Sequence, residues 1–298
     1  MTAENSKHRT AACVILYNPP ENFVNNLRSY IHFIEKIFVI DNSSTTNPLV
    51  KLAINQLAQS YNIEFWQNGE NLGLSVPLNR VFSTAEEQGF SLVLTMDQDS
   101  VFTNDSLLQE ANNIFEADEK VGLIGMAHYT TRMKSWYKTS KKFIKTTETL
   151  TSGSLVRVSA WRKVKGFDER FFIDSVDNDF CMSLKKGGFL VLQSKEKVIQ
   201  HALGETQTRP HRFSKKEKIV SLHSPFRSYY ITRNFLLFIS KFFISQPFYC
   251  LRALKYYFRF VKNHYLYSPD FNQHKIFIVQ GIKDFFKKRF GKYPHATN

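Results

Sequence analysis

The sequence of 298 residues has few cysteines, no long apolar run and no apolar segment near its start. Its three cysteines, Cys13, Cys181 and Cys250, are far apart and do not have the spacing of metal ligands. We interpret each one as a small buried side chain in a reducing, cytoplasmic protein. Because no run of about 18 uncharged apolar residues is present, we expect no membrane-spanning helix. The polar residues 1–10 do not have the pattern of a secretory signal either.

Acidic residues are scarce in the last third of the chain. Residues 1–200 contain 22 Lys and Arg against 22 Asp and Glu, whereas residues 201–298 contain 18 against 4. The excess of 14 in the last third therefore equals the whole net charge of +14. The same part holds 22 of the 44 aromatic residues. We predict a main domain over residues 1–222 and a basic, aromatic-rich helical region over residues 223–298.

The first region alternates short apolar runs with stretches of helical spacing. The pattern predicts strands at 11–16, 36–40, 63–66 and 91–96, and helices at 22–33, 49–61 and 75–88. Repeated strand–helix–strand units favour an α/β fold with a mostly parallel central sheet and helices on both faces. Ligands of such sheets bind at the carboxyl ends of the strands, where the polar clusters 17–18, 41–44 and 97–100 occur.

Asp97 and Asp99 are the most informative residues of these clusters. They are two residues apart at a predicted strand end, so their carboxylates are expected to point to the same side. Hard oxygen ligands at that spacing suit Mg²⁺ or Mn²⁺. The alternative is that the Asp-x-Asp sequence caps a following helix, where Asp is also favoured. Taken alone, the pattern leaves both interpretations open.

A second acidic cluster runs through residues 171–180, which read Phe-Phe-Ile-Asp-Ser-Val-Asp-Asn-Asp-Phe. A carboxylate in a cleft can accept the proton of an incoming hydroxyl group, which is the work of a general base. The alternative is an acidic helix start, with Asp174 as the cap and with Asp177 and Asp179 interacting favourably with the helix dipole. The cluster alone does not select among the three carboxylates.

Two further features are weaker. Asn71-Leu72-Gly73 precedes a predicted helix, and a glycine there lets backbone amides approach an anionic ligand, although an ordinary helix entry is the favoured explanation. His201 follows a predicted strand at 197–200. A lone histidine is more often a structural residue than a ligand.

Together these motifs resemble the nucleotide-diphospho-sugar glycosyltransferases of family 2, which have the GT-A fold. The resemblance covers residues 11–240 and rests on the order and spacing of the motifs. The series is Tyr17-Asn18, Asp41-Asn42-Ser43-Ser44, Asn71-Leu72-Gly73, Asp97-Gln98-Asp99-Ser100, Ser152-Gly153-Ser154, Gly166-Phe167-Asp168-Glu169-Arg170-Phe171-Phe172 and Asp177-Asn178-Asp179-Phe180-Cys181. Within the family, these motifs and Tyr229-Tyr230-Ile231-Thr232-Arg233-Asn234 are most similar to bacterial rhamnosyltransferases, which use dTDP-rhamnose.

The resemblance implies roles for individual residues. Asp177 matches the carboxylate that acts as catalytic base, Asp99 matches the metal ligand, and Asp97 matches a contact of the ribose or of the metal's water shell. Tyr17 would lie against the nucleobase and Asp41 would bind its edge. The other residues so implied are Asn18, Asn42, Asn71 and Gly73 for the nucleotide sugar, Ser152, Gly153 and Arg233 for the acceptor or the diphosphate, and His201 for the metal, which is Mg²⁺ or Mn²⁺.

The chain departs from the family pattern at two positions. The Glu that usually precedes the base is Val176 here, and an Arg common four residues after Asp179 is Ser183. Asp174 and Asp179 therefore remain alternatives to Asp177 as the base.

The resemblance implies direct displacement with inversion at the anomeric carbon, onto a glycan or lipid-linked acceptor in cell-surface polysaccharide synthesis. No Gly-x-Ser-x-Gly sequence indicates a covalent mechanism. One alternative is a related enzyme with another donor, such as a UDP-hexose. A sugar-phosphate nucleotidyltransferase is disfavoured, because it would need a Gly-rich triphosphate loop where Tyr17-Asn18-Pro19-Pro20 stands.

The basic C-terminal region has three interpretations. In the predicted helix 247–263, Arg252, Lys255, Arg259 and Lys262 recur at three- and four-residue steps. The favoured interpretation is peripheral attachment to the anionic inner face of the cell membrane, where a lipid-linked acceptor would be found. The second is packing against the rest of the chain or a partner subunit, so an oligomer remains possible. Nucleic-acid binding is not expected, because no reading motif is present.

Overall fold

A computed structural model describes residues 8–104, 106–129, 141–201 and 206–294. These residues form two compact units. Of the described residues, the first contains 8–104, 106–129, 141–169, 176–201 and 294, and the second contains 170–175 and 206–293. The short segment 170–175 thus belongs to the second unit although the first surrounds it in sequence. The second unit also begins before residue 223, the start of the predicted helical region, because a hairpin precedes the helices.

The first unit is built on one mixed sheet. Its strands are β1 (Thr10–Leu16), β2 (Lys36–Asp41), β3 (Ile63–Gln67), β4 (Leu92–Asp97), β5 (Ser100–Phe102), β6 (Val121–His128), β7 (Phe143–Lys145), β8 (Ser154–Arg157) and β9 (Leu190–His201). The order across the sheet is β3-β2-β1-β4-β8-β6-β9-β5, and β7 pairs with β9. The strands from β3 to β4 are parallel, as predicted, whereas β8 is antiparallel to both of its neighbours.

Burial explains why the first strands form the parallel half. The residues of β1 and β2 are almost all buried, including polar ones at the strand ends. Strands covered on both sides have continuous apolar runs, and the sequence Ala-Ala-Cys-Val-Ile-Leu of β1 is such a run. The carboxyl edge of this part of the sheet is therefore the end of strands that are buried on both faces.

The helices of the first unit connect these strands. They are α1 (Phe23–Arg28), α2 (Pro48–Ala58), α3 (Ser75–Glu87), α4 (Ser106–Ala117), α5 (Val158–Lys163) and α6 (Val176–Lys186), with a 3₁₀ helix at Ile31–Phe33. The start of α2 has a clear local cause, because the Asn47 side chain accepts a hydrogen bond from the Leu49 amide at 2.9 Å and Pro48 takes the first helical position. The single helix predicted at 22–33 is wrong in extent, since α1 ends at Arg28.

The second unit contains a hairpin and three long helices. The elements are β10 (Thr206–Pro210), β11 (Glu217–Ser221), α7 (Pro225–Phe242), α8 (Pro247–Tyr267) and α9 (Phe271–Phe286). The helices α7, α8 and α9 agree with the helical character predicted for residues 223–298. Of the helices that the structure describes, none is long and apolar enough to cross a membrane.

Candidate active site

The carboxyl ends of β1, β2 and β4 bring three of the predicted residues to one edge of the sheet. Leu16 pairs with Asp41 across β1 and β2, and Ile15 pairs with Asp97 across β1 and β4. Tyr17 follows directly after β1. Because β1 lies between β2 and β4, Asp41 and Asp97 flank its end on opposite sides. This is the edge where parallel α/β sheets bind ligands.

Asp41 is a buried carboxylate that is only partly satisfied. Its side chain is 1% exposed, and Oδ1 accepts a hydrogen bond from the Ser43 amide at 2.9 Å. Its other oxygen, Oδ2, is buried and has no hydrogen-bond partner among the residues that the structure describes. Buried carboxylate oxygens are nearly always hydrogen-bonded, so Oδ2 is suited to accept an N–H group from a ligand.

Tyr17 presents an aromatic ring at the same edge. Its side chain is 43% exposed, while its backbone is fixed by Gln98. The Tyr17 amide donates to Gln98 Oε1 at 2.8 Å, and Gln98 Nε2 donates to the Tyr17 carbonyl at 3.2 Å. The Gln98 carbonyl accepts from Asn26 Nδ2 at 2.8 Å. Asn18 has a left-handed backbone (φ 43°), and its amide donates to Ser43 Oγ at 2.8 Å.

Asn42 organises the neighbouring loop rather than presenting its amide to the edge. Its Nδ2 donates to the Gly73 carbonyl at 2.7 Å and to Asn71 Oδ1 at 3.2 Å. Its Oδ1 accepts from Asn68 Nδ2 at 2.9 Å and from the Leu72 amide at 3.2 Å. Gly73 has a φ of +75°, which a glycine adopts without strain. The structure therefore gives Asn42, Asn71 and Gly73 a role in shaping the loop before α3.

Asp97 and Asp99 lie at the end of β4 and in the turn that follows it. Asp97 is the last residue of β4, and β5 begins at Ser100. The helix-capping alternative is wrong, because the turn leads into a strand and the next helix, α4, begins only at Ser106. Both carboxylates are half-buried. They lie on a tight strand–turn–strand connection at the edge that carries Asp41.

Ser152 and Gly153 brace this connection. The Ser152 hydroxyl accepts a hydrogen bond from the Asp97 amide at 3.0 Å and donates to Ser100 Oγ at 2.8 Å. The Gly153 amide donates to the Thr95 carbonyl at 2.8 Å. With a φ of +76°, Gly153 occupies a conformation that favours glycine, and a Cβ there would lie 2.7 Å from a side-chain carbon of Ile199. Ser152 itself is buried, which indicates support for Asp97.

His201 is the last residue of β9, and its backbone pairs with that of Ser100 in β5. The pairing brings the chain at position 201 alongside the strand that follows Asp99. The side chain of His201 lies outside the described residues, so its predicted role as a metal ligand stays a prediction.

Asp177 lies in the first turn of α6 and is half-buried. Its Oδ1 accepts a hydrogen bond from the Asn178 amide at 2.9 Å. The side chain lines a small cavity together with Thr95 of β4, Thr149, Thr151 and, from α6, Cys181. Thr95 precedes Asp97 by two residues on the same strand. Asp177 of α6 and Thr95 of β4 thus border the same small cavity.

The other two carboxylates of the acidic cluster have different surroundings. Asp179 is 2% exposed and is enclosed by the packing of α6. Asp174 belongs to the second unit, where it forms a bidentate ion pair with Arg227 at 2.8 to 3.1 Å. A carboxylate in such a pair has its lone pairs directed at a guanidinium group. Of the three candidates, Asp177 alone lines the cavity beside Thr95, within the described part of the chain.

The family profile described as "Glycosyl transferase family 2" matches residues 12–187, which is more than half of the chain. The chain belongs to glycosyl transferase family 2. It is therefore a glycosyltransferase enzyme, and the matched region contains the sheet edge, the Asp97–Asp99 turn and the start of α6.

The curated relatives of this family 2 glycosyltransferase include the dTDP-rhamnosyl transferase RfbF of Shigella flexneri. The two are 25% identical over 250 residues, which cover 77% of this chain and 79% of the relative. Among solved structures, S. aureus TarS 1–349 in complex with UDP-GlcNAc has a TM-score of 0.56 at 14% identity, covering 94% of this chain and 73% of that chain. A longer TarS structure has a TM-score of 0.51 at 17% identity, covering 66% of this chain but only 37% of that chain.

GalNAc-T7 with UDP, GalNAc and Mn²⁺ also resembles the glycosyltransferase, with a TM-score of 0.53 at 9% identity. That likeness covers 65% of this chain and 44% of that chain. These similarities confirm the predicted GT-A fold.

The carboxylates of this glycosyltransferase fit a metal ion whose other ligands would come from the substrate. Among the residues that the structure describes, no three His, Cys, Asp or Glu side chains cluster closely enough to hold an ion. Asp97 and Asp99 supply two carboxylates at one turn. Mg²⁺ is usually held by one or two carboxylates together with water and substrate phosphates, so two protein ligands are sufficient for a site completed by a diphosphate.

Cys181 is not suited to nucleophilic catalysis. Its side chain is buried, and burial is the largest of the effects that raise the pKa of the thiol to about 12; Asp177 and Glu148 add to it. A thiol with such a pKa is protonated at neutral pH, and only the thiolate is a good nucleophile. The glycosyltransferase thus lacks an activated thiol beside Asp177.

The structure contradicts the prediction that Arg233 contacts the acceptor or the diphosphate. Its side chain is 0% exposed in the second unit. Its Nη1 donates to Tyr229 Oη at 3.0 Å, and its Nε donates to Asn234 Oδ1 at 3.2 Å. The guanidinium group also lies over the rings of Tyr229 and Tyr230. A guanidinium so enclosed has no surface for a ligand, and its role in this structure is packing.

Sequence reasoning missed two residues at the site. The motif Asp97-Gln98-Asp99 indicates no role for Gln98, yet the side-chain amide of Gln98 fixes the backbone of Tyr17. Glu148 belongs to none of the motifs, although its Oε2 accepts a hydrogen bond at 2.9 Å from Nδ2 of Asn178, the residue after Asp177. The amide of Gln98 was a detectable signal, because a polar side chain at a strand end seldom lacks a partner. Glu148 is 30 residues from Asn178, and nothing local indicates the contact.

Proposed function

We propose that this glycosyltransferase transfers rhamnose from dTDP-rhamnose to a glycan or lipid-linked acceptor, with inversion at the anomeric carbon. The supporting observation is that Asp41 and Asp97 stand at the carboxyl ends of the two strands that flank β1, while Asp177 lines a cavity with Thr95 of β4. Nucleobase, diphosphate and reaction centre of a nucleotide sugar each have a chemically suitable group in this arrangement. The likeness to RfbF supports rhamnose as the sugar.

The nucleotide is bound by Tyr17 and Asp41 in this proposal. The exposed ring of Tyr17 offers a stacking surface to a base, and Asp41 Oδ2 accepts the N3–H of a thymine or uracil. Both bases have this donor, so the two residues select a pyrimidine of this type but do not separate dTDP from UDP. The TarS complexes contain UDP-GlcNAc or UDP, which is why a UDP-sugar is the second candidate donor.

Asp97 and Asp99 are the residues that would hold a divalent metal, Mg²⁺ or Mn²⁺. When bound, the ion would neutralise the negative charge that develops on the departing diphosphate. Ser152, bonded to the Asp97 amide, would keep the first carboxylate in position.

Asp177 acts as the general base. Its carboxylate accepts the proton of the acceptor hydroxyl while that oxygen forms a bond to the anomeric carbon of the donor. The bond between this carbon and the diphosphate oxygen breaks in the same displacement, and its electron pair leaves with the dTDP. Because attack and departure occur on opposite faces, the configuration inverts without a covalent enzyme intermediate.

The donor assignment is tested by measuring transfer and hydrolysis with purified protein and a panel of nucleotide sugars. We expect dTDP-rhamnose to give a kcat/KM at least about 100-fold above that of UDP-GlcNAc and UDP-glucose, as for a site that is selective by several contacts. Turnover with a UDP-hexose alone would contradict the rhamnose assignment and favour the second candidate.

We further propose that α8 attaches the enzyme to an anionic membrane surface. Phe248 is 87% exposed and Phe258 is 62% exposed. The exposed cations Lys255, Arg259 and Lys262 lie on the same helix, and α8 contains no acidic residue. Helices that combine exposed aromatic and basic side chains bind anionic interfaces through apolar insertion and charge attraction.

Flotation with lipid vesicles tests this surface. The protein is expected to float with vesicles that contain phosphatidylglycerol and to stay at the bottom with phosphatidylcholine alone. The double change Lys255→Glu and Arg259→Glu should weaken binding at least about 10-fold, since each basic residue contributes about 1 kcal/mol near such a surface. The same change at Lys185 and Lys186, at the end of α6, is the matched control and should leave flotation intact. If the protein floats with neither kind of vesicle, the proposal is refuted.

A further inference from the structure

The segment 170–175 is held by one face of α7. Phe172 stacks on Tyr230 with ring centroids 5.2 Å apart and an interplanar angle of 17°. Arg233 Nη2 lies 3.5 Å from the carbonyl oxygen of Arg170. These contacts come from the conspicuous run 229–234, whose role in the reaction is otherwise unassigned.

The end of the segment is held most firmly. Asn234 Nδ2 donates to the carbonyl oxygens of Ile173 at 2.6 Å and of Asp174 at 3.0 Å. Arg227, which precedes Asn234 by about two helical turns on α7, pairs with the Asp174 carboxylate through both of its oxygens. Tyr230 and Asn234 are buried, so this face of α7 is not a solvated surface.

The backbone at the end of the segment is strained. Asp174 has a φ of 63° and Ser175 has a φ of 65°. Two consecutive left-handed residues that are not glycine are unusual, and such conformations persist only where the surroundings enforce them. Here the enforcing contacts are those of Asn234 and Arg227. The next residue, Val176, begins α6, and Asp177 follows in its first turn.

We propose that Asn234 and Arg227 are positioning residues for Asp177. By holding Asp174 and Ser175 in the left-handed conformation, they fix the point and direction from which the chain enters α6, and hence the direction of the Asp177 carboxylate. The inference rests on the proposed function, because it takes Asp177 as the base. It also gives the run 229–234 a functional reason in addition to packing.

The test uses two independent ways to disturb the turn. Asn234→Asp removes both N–H donors with little change in shape, and Ser175→Val introduces a β-branched side chain that disfavours a positive φ. Each is expected to lower kcat about 10- to 100-fold, as for a misplaced catalytic group, while the KM for donor changes little. Adding Ser175→Gly to Asn234→Asp should restore most of kcat, because glycine adopts the left-handed conformation without strain.

Several results would overturn the inference. The first is a kcat equal to that of the wild type in Ser175→Val or in Asn234→Asp. The second is a fall in kcat that is accompanied by changes in KM and thermal stability and is not restored by Ser175→Gly. Asp177→Asn is measured in parallel. If Asp177→Asn is inactive while Asn234→Asp is fully active, only the positioning role is refuted. If Asp177→Asn is active, both the base assignment and the positioning role are refuted.

Discussion

Replacing Asp177 by asparagine is expected to lower kcat by at least about 100-fold, which corresponds to about 2.7 kcal/mol of transition-state stabilisation. The amide has the same shape and its oxygen can still accept the hydrogen bond from the Asn178 amide, so the start of α6 should be preserved. It cannot accept the proton of the acceptor hydroxyl. The loss should therefore appear in kcat, whereas binding of dTDP, measured by titration calorimetry, should stay close to that of the wild type.

The shape of the pH profile gives a second measurement. In the wild type, kcat should fall at acidic pH as the base becomes protonated, and this limb should be absent from the residual activity of Asp177→Asn. Asp118→Asn is the control, because it makes the same chemical change in the turn between α4 and β6, where Oδ1 accepts a hydrogen bond from the Lys120 amide. Turnover of Asp177→Asn equal to that of this control would show that Asp177 is not the base.

Asp179→Asn extends the comparison to the second candidate. Asp179 is enclosed in the packing of α6, so its replacement is expected to affect stability more than the acidic limb of the pH profile. An intact limb in Asp177→Asn combined with a lost limb in Asp179→Asn would reassign the base to Asp179.

The parallel half of the sheet was predictable because its signal is local. The apolar runs at β1, β2 and β4 end within one residue of the predicted positions, since each is a buried strand stopped by polar or proline residues. The carboxyl ends of parallel strands share an edge, so the pattern alone predicts that Asp41 and Asp97 reach the same edge of the sheet, and the strand register places them there, on either side of β1.

The choice among the three carboxylates was not predictable from local pattern. Asp174 pairs with Arg227, which is 53 residues away, and no sequence feature near either residue indicates that they pair. The same holds for Asn234, whose contacts with 173 and 174 span 61 and 60 residues of chain. Sequence spacing within a helix start defines which residues share a turn, but tertiary partners decide which carboxylate remains beside the cavity.

The packing role of Arg233 was not predictable from local pattern either. An arginine within a motif of a phosphate-handling enzyme suggests an anion contact, because Arg often binds phosphate. Arginine is equally able to stack on aromatic rings, and Tyr229 and Tyr230 stand shortly before it in the motif. The aromatic neighbours were visible in the sequence, yet only the structure shows that the guanidinium is enclosed among them.

Removal of divalent metal is the second change with a large expected effect. Exhaustive chelation should reduce transfer to below about 1% of the wild-type rate, because Lewis-acid stabilisation of a departing diphosphate is worth several kcal/mol. Mn²⁺ or Mg²⁺ should restore activity, since both suit the oxygen ligands that Asp97 and Asp99 provide. Asp99→Asn should require a much higher concentration of Mn²⁺ for half-maximal activity, as a neutral amide is a weaker ligand than a carboxylate.

The site at Asp97 and Asp99 predicts how metal and nucleotide depend on each other. Two protein carboxylates leave most coordination positions to water and phosphate oxygens, so Mn²⁺, followed by electron paramagnetic resonance, should bind more tightly in the presence of dTDP than in its absence. By linkage, dTDP should bind more tightly in the presence of Mn²⁺ by the same factor. Asp99→Asn should abolish this coupling, whereas Asp118→Asn should retain it. Full transfer activity in protein shown to be free of metal would remove the ion from the mechanism and leave Asp97 and Asp99 with a structural or ribose-binding role.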